Sequence, residues 1–227
     1  MADLSFDDPL TGGGEPPAAS RNTLHRPGKI VCIGRNYREH AKELGNEVPT
    51  EPLFFLKPST SIIRDGEPIV LPPQSGRVEF EGEIGIVIGS RLTKASENEA
   101  AAAVSGVVAI NDVTARDLQK KDSQWTRAKG FDTFCPVGEV AEGSFDLANL
   151  VVVTRVNGEE RQRASTSELV FAIPMLLSYV SHVMTLEVGD LVACGTPAGV
   201  GPLKHGDVVE VEIEGLSRVS NPVEGPH

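Results

Sequence analysis

The sequence predicts a mainly β fold of the α+β class, a β-rich roll or sandwich with peripheral helices. Short runs rich in Val and Ile recur along the chain, and few segments have a helical pattern. The chain contains 23 Gly and 16 Pro, which lie mostly between those runs. Because Gly and Pro favour turns, this distribution is typical of a strand-rich protein.

Eight short apolar runs are the predicted strands. β-branched side chains pack well on a pleated surface, and turn residues bound each run. Some of these runs are apolar throughout, which indicates strands that are covered on both faces. In chain order the predicted strands are Ile30–Ile33, Leu53–Leu56, Ile69–Leu71, Ile84–Ile88, Val107–Ile110, Val151–Val156, Asp190–Cys194 and Val208–Ile213.

Three segments are predicted helices: Tyr37–Leu44, the Ala-rich Glu97–Val104 and Ser167–Val183. Ser96 is a suitable N-cap for the second, because its hydroxyl can accept a hydrogen bond from a free N–H of the first turn. Pro174 breaks or restarts the third. A fourth helix is expected to begin after Thr114.

Residues 1–26 differ from the rest of the chain. They contain Gly12–Gly14 and Pro16 and show no hydrophobic periodicity, so they are expected to form a flexible N-terminal arm. The remainder has neither a repeat of fixed period nor a long linker. Residues 27–227 are therefore expected to form a single domain, which the length of 227 residues comfortably allows.

Composition excludes several classes of protein. With 21 Lys+Arg against 32 Asp+Glu the net charge is −11, which argues against a basic surface for nucleic acid. The most apolar stretch, Leu169–Val183, contains polar residues and is too short to span a bilayer, so no membrane partner is expected. The N-terminus lacks the pattern of a secretory signal. Three widely separated cysteines predict neither a disulfide framework nor a thiolate metal site, and they favour the cytoplasm.

Glu81 and Glu83 are two residues apart in a predicted extended segment, so their side chains project from one face. One interpretation is a solvated acidic edge, since exposed Glu is the norm. However, Glu83 leads directly into the apolar run Ile84–Ile88, which indicates burial. Because buried carboxylates must be protonated or matched by a cation, a bound divalent metal is the second interpretation.

Asp112 is the candidate third ligand, because it follows the apolar run Val107–Ile110 at the end of a predicted buried strand. Taken alone, it is better explained as the N-cap of the helix that follows, and only its combination with Glu81 and Glu83 indicates a metal ligand. Three carboxylates without a Cys or His trio favour hard cations, Mg²⁺ or Mn²⁺, over zinc.

His40 and Glu43 lie three residues apart on a predicted helix, so their side chains can touch. A histidine that is oriented by a carboxylate can act as a general base. The alternative is an ordinary charge pair on a surface helix.

Two further segments carry candidate groups. Lys129, near the single Trp of the chain, can stabilise a substrate carboxylate or an enolate oxygen, or it is an ordinary surface Lys with a partly buried stem. The Gly-rich segment around Thr196 lacks the patterns of phosphate-binding loops and dinucleotide sites. It can still present backbone N–H groups and the Thr196 hydroxyl to a small anion.

Six ordered motifs resemble those of the fumarylacetoacetate hydrolase family, over about residues 29–216. Each is weak alone, but together they cover nearly the whole predicted domain. The motifs are Gly34-Arg35-Asn36-Tyr37 with His40 and Glu43, Phe55-Leu56-Lys57-Pro58-Ser59, Glu81-Gly82-Glu83, Asn111-Asp112-Val113-Thr114-Ala115-Arg116-Asp117, Ala128-Lys129-Gly130-Phe131-Asp132 and Gly195-Thr196-Pro197-Ala198-Gly199-Val200-Gly201.

The resemblance implies the mixed β-sandwich roll of that family, usually a homodimer, in which three carboxylates hold Mg²⁺ or Mn²⁺. The chain looks most similar to the acylpyruvate hydrolase and oxaloacetate decarboxylase branch, where a His and a Glu on a mobile lid close over the substrate. The matching positions are Glu81, Glu83 and Asp112 for the metal, His40, Glu43 and Lys129 for catalysis, and Arg35, Arg116, Gln119 and Thr196 for substrate contact.

The activity implied by this resemblance is cleavage of a C–C bond next to a 2-oxo acid through a metal-bound enolate. In an acylpyruvate, water activated by the His40–Glu43 pair attacks the distal carbonyl and pyruvate enolate leaves. In oxaloacetate, CO₂ leaves and no attacking water is needed.

Two alternatives stay open. One is an isomerase and decarboxylase of aromatic catabolism that acts on 2-hydroxyhepta-2,4-diene-1,7-dioate. The other is a catalytically silent dimer that binds a metal and a 2-oxo acid, since a fold can outlive its chemistry. The presence of His40 and Glu43 argues against the silent binder, which needs the carboxylates but no base.

Overall fold

Sixteen strands and five α-helices form the part of the chain that the computed structural model describes, residues 26–225 except positions 44 and 46. The predicted strand-rich α+β fold class is confirmed. The strands are β1 (Ile30–Gly34), β2 (Leu53–Lys57), β3 (Ile62–Ile63), β4 (Ile69–Val70), β5 (Val78–Phe80), β6 (Gly82–Ile88), β7 (Val104–Asn111), β8 (Thr114–Ala115), β9 (Cys135–Pro136), β10 (Ala141–Glu142), β11 (Val151–Val156), β12 (Glu159–Ser165), β13 (Leu191–Ala193), β14 (Gly201–Pro202), β15 (Val208–Ile213) and β16 (Ser217–Glu224). The helices are α1 (Arg38–Glu43), α2 (Glu97–Ala102), α3 (Arg116–Lys121), α4 (Thr126–Lys129) and α5 (Ile173–Val183).

Two sheets form the body of the protein. The first has the strand order β10-β7-β6-β13-β1-β2, and the second has the order β12-β11-β15-β16-β4. The main hydrophobic cluster joins side chains of both sheets, such as Ile86 and Val152, with Leu176 of α5. A three-stranded sheet, β14-β5-β8, and the pair β3-β9 complete the fold.

All eight predicted strands fall in observed strands, with small differences at their ends. The longest strands without a counterpart among the predictions are β12 and β16. Polar residues occupy some of their inward positions, Gln162 in β12 and Ser217 and Asn221 in β16, and all three side chains are buried. These polar residues hide the alternation of apolar and polar residues by which a half-buried strand is identified.

The helix boundaries require three corrections. Helix α2 begins after Ser96, whose predicted cap is confirmed as a capping box with Glu99, but it ends at Ala102 and Val104 already belongs to β7. Ser167 lies in the short 3₁₀ turn Thr166–Glu168, and α5 begins only at Ile173. Pro174 lies in the first turn of α5, where its missing N–H is tolerated, so it starts this helix and does not break it.

The other two helix predictions agree with the structure. Helix α1 covers Arg38–Glu43 of the predicted Tyr37–Leu44, and position 44 lies outside the described residues. Helix α3 is the helix expected after Thr114.

The structure bears only partly on the predictions about the termini and compartment. Residues 1–25 lie outside the described part of the chain, so the N-terminal arm and the domain boundary at residue 27 stay predictions. Over the described ranges, no helix is long and apolar enough to cross a membrane. Cys32, Cys135 and Cys194 are all buried and free. The sequence likewise predicted no disulfide framework.

Candidate active site

Neighbouring strands of the first sheet bring the three predicted carboxylates together. Glu81 directly precedes β6, Glu83 lies in β6, and Asp112 directly follows β7. The two strands are antiparallel with Gly82 opposite Asn111, so the start of one meets the end of the other. Carboxylate oxygens of Glu81, Glu83 and Asp112 lie within 4.8 Å of one another, an arrangement that could hold a metal ion.

Burial and backbone geometry contradict the two simpler interpretations of these carboxylates. Glu81 is 5% exposed and Glu83 and Asp112 are each 1% exposed, so the solvated acidic edge is wrong. The N-cap interpretation of Asp112 is also wrong. The residue at the N-cap of α3 is Ala115, which makes no side-chain capping bond.

Three buried cations surround the carboxylates. Lys129 Nζ donates hydrogen bonds to Glu81 at 2.8 Å and to Asp112 at 2.5 Å, while Arg116 donates to Glu81. Lys57 Nζ donates to the other oxygen of Asp112 at 2.5 Å. Lys129 is only 1% exposed, so its interpretation as an ordinary surface Lys is wrong.

These ion pairs oppose the effect of burial on the ionisation of the site. Burial by itself would raise the pKa of Glu81, but Lys129 and Arg116 outweigh it and hold that pKa well below its ordinary value. Burial disfavours the charged form of Lys129 as well, yet Asp112 and Glu81 raise the pKa of its ammonium above the ordinary value. Glu81 and Lys129 are therefore both charged at neutral pH.

Glu83 differs from its two neighbours because its charge is not compensated. Its Oε2 accepts a hydrogen bond from the backbone N–H of Gly195 at 2.8 Å, and in the described part of the chain no cationic side chain pairs with it. Burial, followed by the charges of Asp112 and Glu81, raises its pKa well above the ordinary value. A cation bound beside Glu83 would remove this imbalance, so the donor set fits a divalent metal.

The predicted His–Glu pair is formed on α1. His40 Nδ1–H donates a hydrogen bond to Glu43 Oε2 at 3.1 Å, which leaves Nε2 free to take up a proton. Glu43 Oε1 in turn accepts from the backbone N–H of Gly199 at 3.0 Å. His40 is only 4% exposed and faces the carboxylate cluster, which contradicts a plain charge pair on a surface helix.

One cavity of about 50 Å³ brings the predicted groups together. Glu43 does not line it and reaches it through His40. Also on the wall are Phe55 and Trp125, whose rings pack edge to face at 5.4 Å between centroids. The predicted residues that line the cavity are Arg35, His40, Glu81, Glu83, Asp112, Arg116, Gln119, Lys129 and Thr196.

The four predicted substrate contacts reach the cavity in different ways. Arg35 has a positive φ of 59°, which is unusual for a residue with a Cβ, and its guanidinium carbon lies 5.9 Å from the centroid of the Trp125 ring. Arg116 is held by Glu79, Glu81 and Gln119.

Thr196 Oγ1 donates its proton to the carbonyl of Gly82 at 2.9 Å. Its oxygen also accepts a hydrogen bond from Gln162 Nε2 at 2.8 Å. The predicted role of Thr196 in substrate contact stays a prediction.

Sequence reasoning missed two buried charged residues that support the site. Lys57 is 2% exposed and also donates to the carbonyl of Val113. Glu79 is 2% exposed and accepts from Arg116 at 2.6 Å, which fixes that guanidinium beside Glu81. Two signals were available in the sequence. Lys57 ends an apolar strand, and Glu79 lies two residues before Glu81 and so on the same face of an extended segment.

Gly195 is required by its backbone and by its surroundings, so we expect Gly195→Ala to destabilise the protein and to disturb Glu83. Its φ is +101°, and an added Cβ would lie 2.8 Å from Cβ of Asn36. Both conformational strain and this clash oppose the substitution, so the free energy of unfolding should fall by roughly 2–5 kcal/mol. Urea denaturation measures this change.

Gly215→Ala is the matched control. Gly215 has a φ of +70°, but nothing lies within 4 Å of an added Cβ. Only the backbone conformation opposes that substitution, which should lower the free energy of unfolding by about 1–2 kcal/mol. Equal urea midpoints for the two variants would show that the contact with Asn36 has no role.

Comparison with known proteins adds sequence and structural relatives. The family model for the fumarylacetoacetate (FAA) hydrolase C-terminal region matches residues 29–224. The mitochondrial oxaloacetate decarboxylase of Dictyostelium discoideum is 45% identical over 195 residues, which are 83% of this chain and 89% of that protein. The mitochondrial oxaloacetate tautomerase FAHD1 of Homo sapiens is 43% identical over 203 residues, which are 87% of this chain and 92% of that protein.

A solved structure shares both the fold and much of the sequence. The crystal structure of a 2-hydroxyhepta-2,4-diene-1,7-dioate isomerase from Mycobacterium marinum superposes with a TM-score of 0.82 at 43% identity. The alignment covers 90% of this chain and 77% of that one. The identity and the coverage together show a common family and not only a common fold.

Proposed function

Because the chain belongs to the fumarylacetoacetate hydrolase family, whose members include enzymes that act on small 2-oxo acids, we propose that it is a metal-dependent enzyme of this kind. The proposed reaction breaks the C–C bond next to a 2-oxo acid, by decarboxylation of oxaloacetate, by hydrolysis of an acylpyruvate, or by both. The single observation that carries the proposal is the buried Glu81, Glu83 and Asp112 cluster beside His40 and Lys129 in one cavity.

Glu81, Glu83 and Asp112 would hold Mg²⁺ or Mn²⁺, because hard divalent cations prefer carboxylate oxygens. When bound, such an ion acts as a Lewis acid towards the carboxylate and 2-oxo oxygens of the substrate. Lys57, Lys129 and Arg116 keep Glu81 and Asp112 in place by direct hydrogen bonds, and the N–H of Gly195 donates to Glu83.

Lys129 stabilises the oxygen on which negative charge develops. Two of its three N–H groups bind Glu81 and Asp112, which leaves one for a substrate oxygen. When the C–C bond of oxaloacetate breaks, its electron pair forms the enolate of pyruvate and CO₂ leaves. A buried charged donor favours that enolate over the ground state.

His40 is the proposed base for water in acylpyruvate hydrolysis. Glu43 Oε2 accepts a hydrogen bond from Nδ1–H, so Nε2 can take a proton from water as the water attacks the distal carbonyl. The bond to the pyruvate unit then breaks and the enolate takes up a proton to give pyruvate. Decarboxylation needs no such water.

Two relatives favour oxaloacetate as the first substrate to test. Oxaloacetate occurs in the names of the Dictyostelium discoideum and Homo sapiens relatives. The second candidate function is the dienedioate isomerase, which the similarity to the Mycobacterium marinum enzyme favours.

The proposal is tested by measuring pyruvate release from oxaloacetate and acetylpyruvate side by side, with Mg²⁺, with Mn²⁺ and with EDTA. A coupled lactate dehydrogenase assay is corrected for spontaneous decarboxylation. We expect turnover of oxaloacetate with either ion and its loss with EDTA, because the carboxylates alone provide no Lewis acid. Turnover of acetylpyruvate in addition would assign the hydrolase activity.

The same assay discriminates the alternatives. Silence on both acids together with turnover of the dienedioate would favour the isomerase. Binding of oxalate with Mg²⁺ without turnover of any of these acids would favour the silent binder. A single catalytic domain at residues 27–227, a homodimer and a cytoplasmic location belong to the proposal and stay predictions.

A further inference from the structure

Gln162 of β12 takes part in a closed ring of hydrogen bonds behind the carboxylates. The backbone N–H of Gly82 donates to Gln162 Oε1 at 3.0 Å, and Gln162 Nε2 donates to Thr196 Oγ1 at 2.8 Å. Thr196 Oγ1 donates to the carbonyl of Gly82 at 2.9 Å, which closes the ring. We call these three residues the Gln162 ring. Gln162 is 1% exposed, and its second amide proton goes to the carbonyl of Pro197 at 2.8 Å.

The backbone groups around the Gln162 ring determine which atom donates and which accepts in each of its hydrogen bonds. An N–H of Gly82 can only donate, so the Gln162 atom that faces it is the amide oxygen. The carbonyls of Gly82 and Pro197 can only accept, so Thr196 donates to the first and the amide nitrogen of Gln162 donates to the second. No other side chain of similar size offers one acceptor and two donors in this arrangement.

The ring joins the two backbone segments that shape the candidate site. Gly82 lies between Glu81 and Glu83, so its peptide groups set where both carboxylates start. Thr196 follows Gly195, whose N–H binds Glu83 at 2.8 Å. Three residues beyond Thr196, the N–H of Gly199 binds Glu43.

The second sheet packs directly against Gly82. An added Cβ at Gly82 would lie 1.9 Å from Thr154 Oγ1, so β11 is in direct contact with the peptide. Thr154 pairs with Gln162 across β11 and β12, but its buried hydroxyl has no hydrogen-bond partner within the described residues. The polar contact from this face of the second sheet therefore comes from Gln162.

We propose that Gln162 is a positioning residue of the active site, which acts on the metal ligands through Gly82 and on the neighbouring loop through Thr196. It does not line the cavity and contacts none of the reacting groups. This inference rests on the proposed function, since it assumes that Glu81, Glu83 and Asp112 hold a divalent cation. Outer partners of metal ligands commonly set metal affinity in this way.

The test is a calorimetric titration of Mn²⁺ into the unmodified chain, Gln162→Met and Thr154→Val. Met has nearly the shape of Gln but cannot form the ring, so we expect Mn²⁺ affinity to fall about 10- to 100-fold. Thr154→Val removes a buried hydroxyl on the adjacent strand that has no partner, and its affinity should stay within about twofold. The thermal unfolding of each variant is recorded to show that it is folded.

A double-variant cycle distinguishes the ring from a general loss of packing. Because Gln162 and Thr196 belong to one closed ring with Gly82, the variants Gln162→Met and Thr196→Val together should weaken Mn²⁺ binding by less than the product of the two single losses. Losses that multiply would show independent roles and would overturn the proposal. So would a folded Gln162→Met with Mn²⁺ affinity within twofold of the unmodified chain.

A second variant covers the case in which Gln162→Met does not fold. Gln162→Glu keeps the acceptor for Gly82 and removes both donors. The added carboxylate would by itself attract a cation, so weaker Mn²⁺ binding supports the ring, and equal or tighter binding overturns it. Failure of the unmodified chain to bind Mn²⁺ would instead overturn the proposed function itself, before any variant is compared.

Discussion

Replacement of Glu83 by Gln should abolish metal-dependent turnover of a 2-oxo acid and leave the fold intact. The amide has the shape of the carboxyl group, and its oxygen can still accept the hydrogen bond from Gly195. It is neutral, however, and is a poor ligand for a hard cation. We expect kcat/KM to fall by at least about 10³-fold, more than the 10- to 100-fold typical of outer-shell partners.

The stability of this variant provides a second test. Burial and the neighbouring carboxylates raise the pKa of Glu83 in the folded protein above its unfolded value. At pH values above the unfolded pKa of Glu83, ionisation of this carboxyl group therefore lowers the stability of the metal-free folded protein. A neutral amide cannot ionise, so it removes that loss of stability. Metal-free Glu83→Gln should unfold at the same temperature as the unmodified chain or at a higher one.

Asp190→Asn is the matched control for Glu83→Gln. Asp190 is also a 1% exposed carboxylate in the first sheet region, but it pairs with Lys29 and does not line the cavity. Loss of that pairing should lower the unfolding temperature and leave turnover per folded molecule unchanged. If Glu83→Gln keeps more than a tenth of its turnover, Glu83 is not a metal ligand.

The pair Glu81 and Glu83 could be predicted from the sequence because its signal is local, whereas Asp112 was added by its combination with that pair. Glu81 and Glu83 share a strand face, and the apolar run after Glu83 indicates burial. The alternation of side chains along a strand shows which face a residue occupies, but it does not show which strands are neighbours in the sheet. The adjacency of β6, β7 and β13, which places Gly195 beside Glu83, comes from the sheet order.

The supporting residues could not be predicted for the same reason. Lys57 lies 55 positions from Asp112, and Gln162 lies 80 positions from Gly82. A Lys at a strand end and a Gln in the charged strand β12 both suggest solvent exposure when their neighbours in space are unknown. Only the packing of the second sheet against the first shows that Gln162 is buried and fully hydrogen-bonded.

Replacement of His40 by Asn should separate the two proposed reactions. The amide of Asn can still donate to Glu43 but cannot take up a proton from water, so acetylpyruvate hydrolysis should fall by about 10²–10⁴-fold. Oxaloacetate decarboxylation needs no attacking water, and its kcat should change by less than about tenfold. Initial rates of pyruvate release from each acid measure both effects.

The matched control for this separation is Glu39→Gln on the same helix. Glu39 pairs with the exposed Lys42 and does not line the cavity, so both reactions should keep their rates. Equal losses of both reactions in His40→Asn would mean that His40 positions the substrate and does not activate water. A selective loss of hydrolysis would mean that one cavity supports both reactions, with Lys129 and the three carboxylates common to them and the His40–Glu43 pair required for only one.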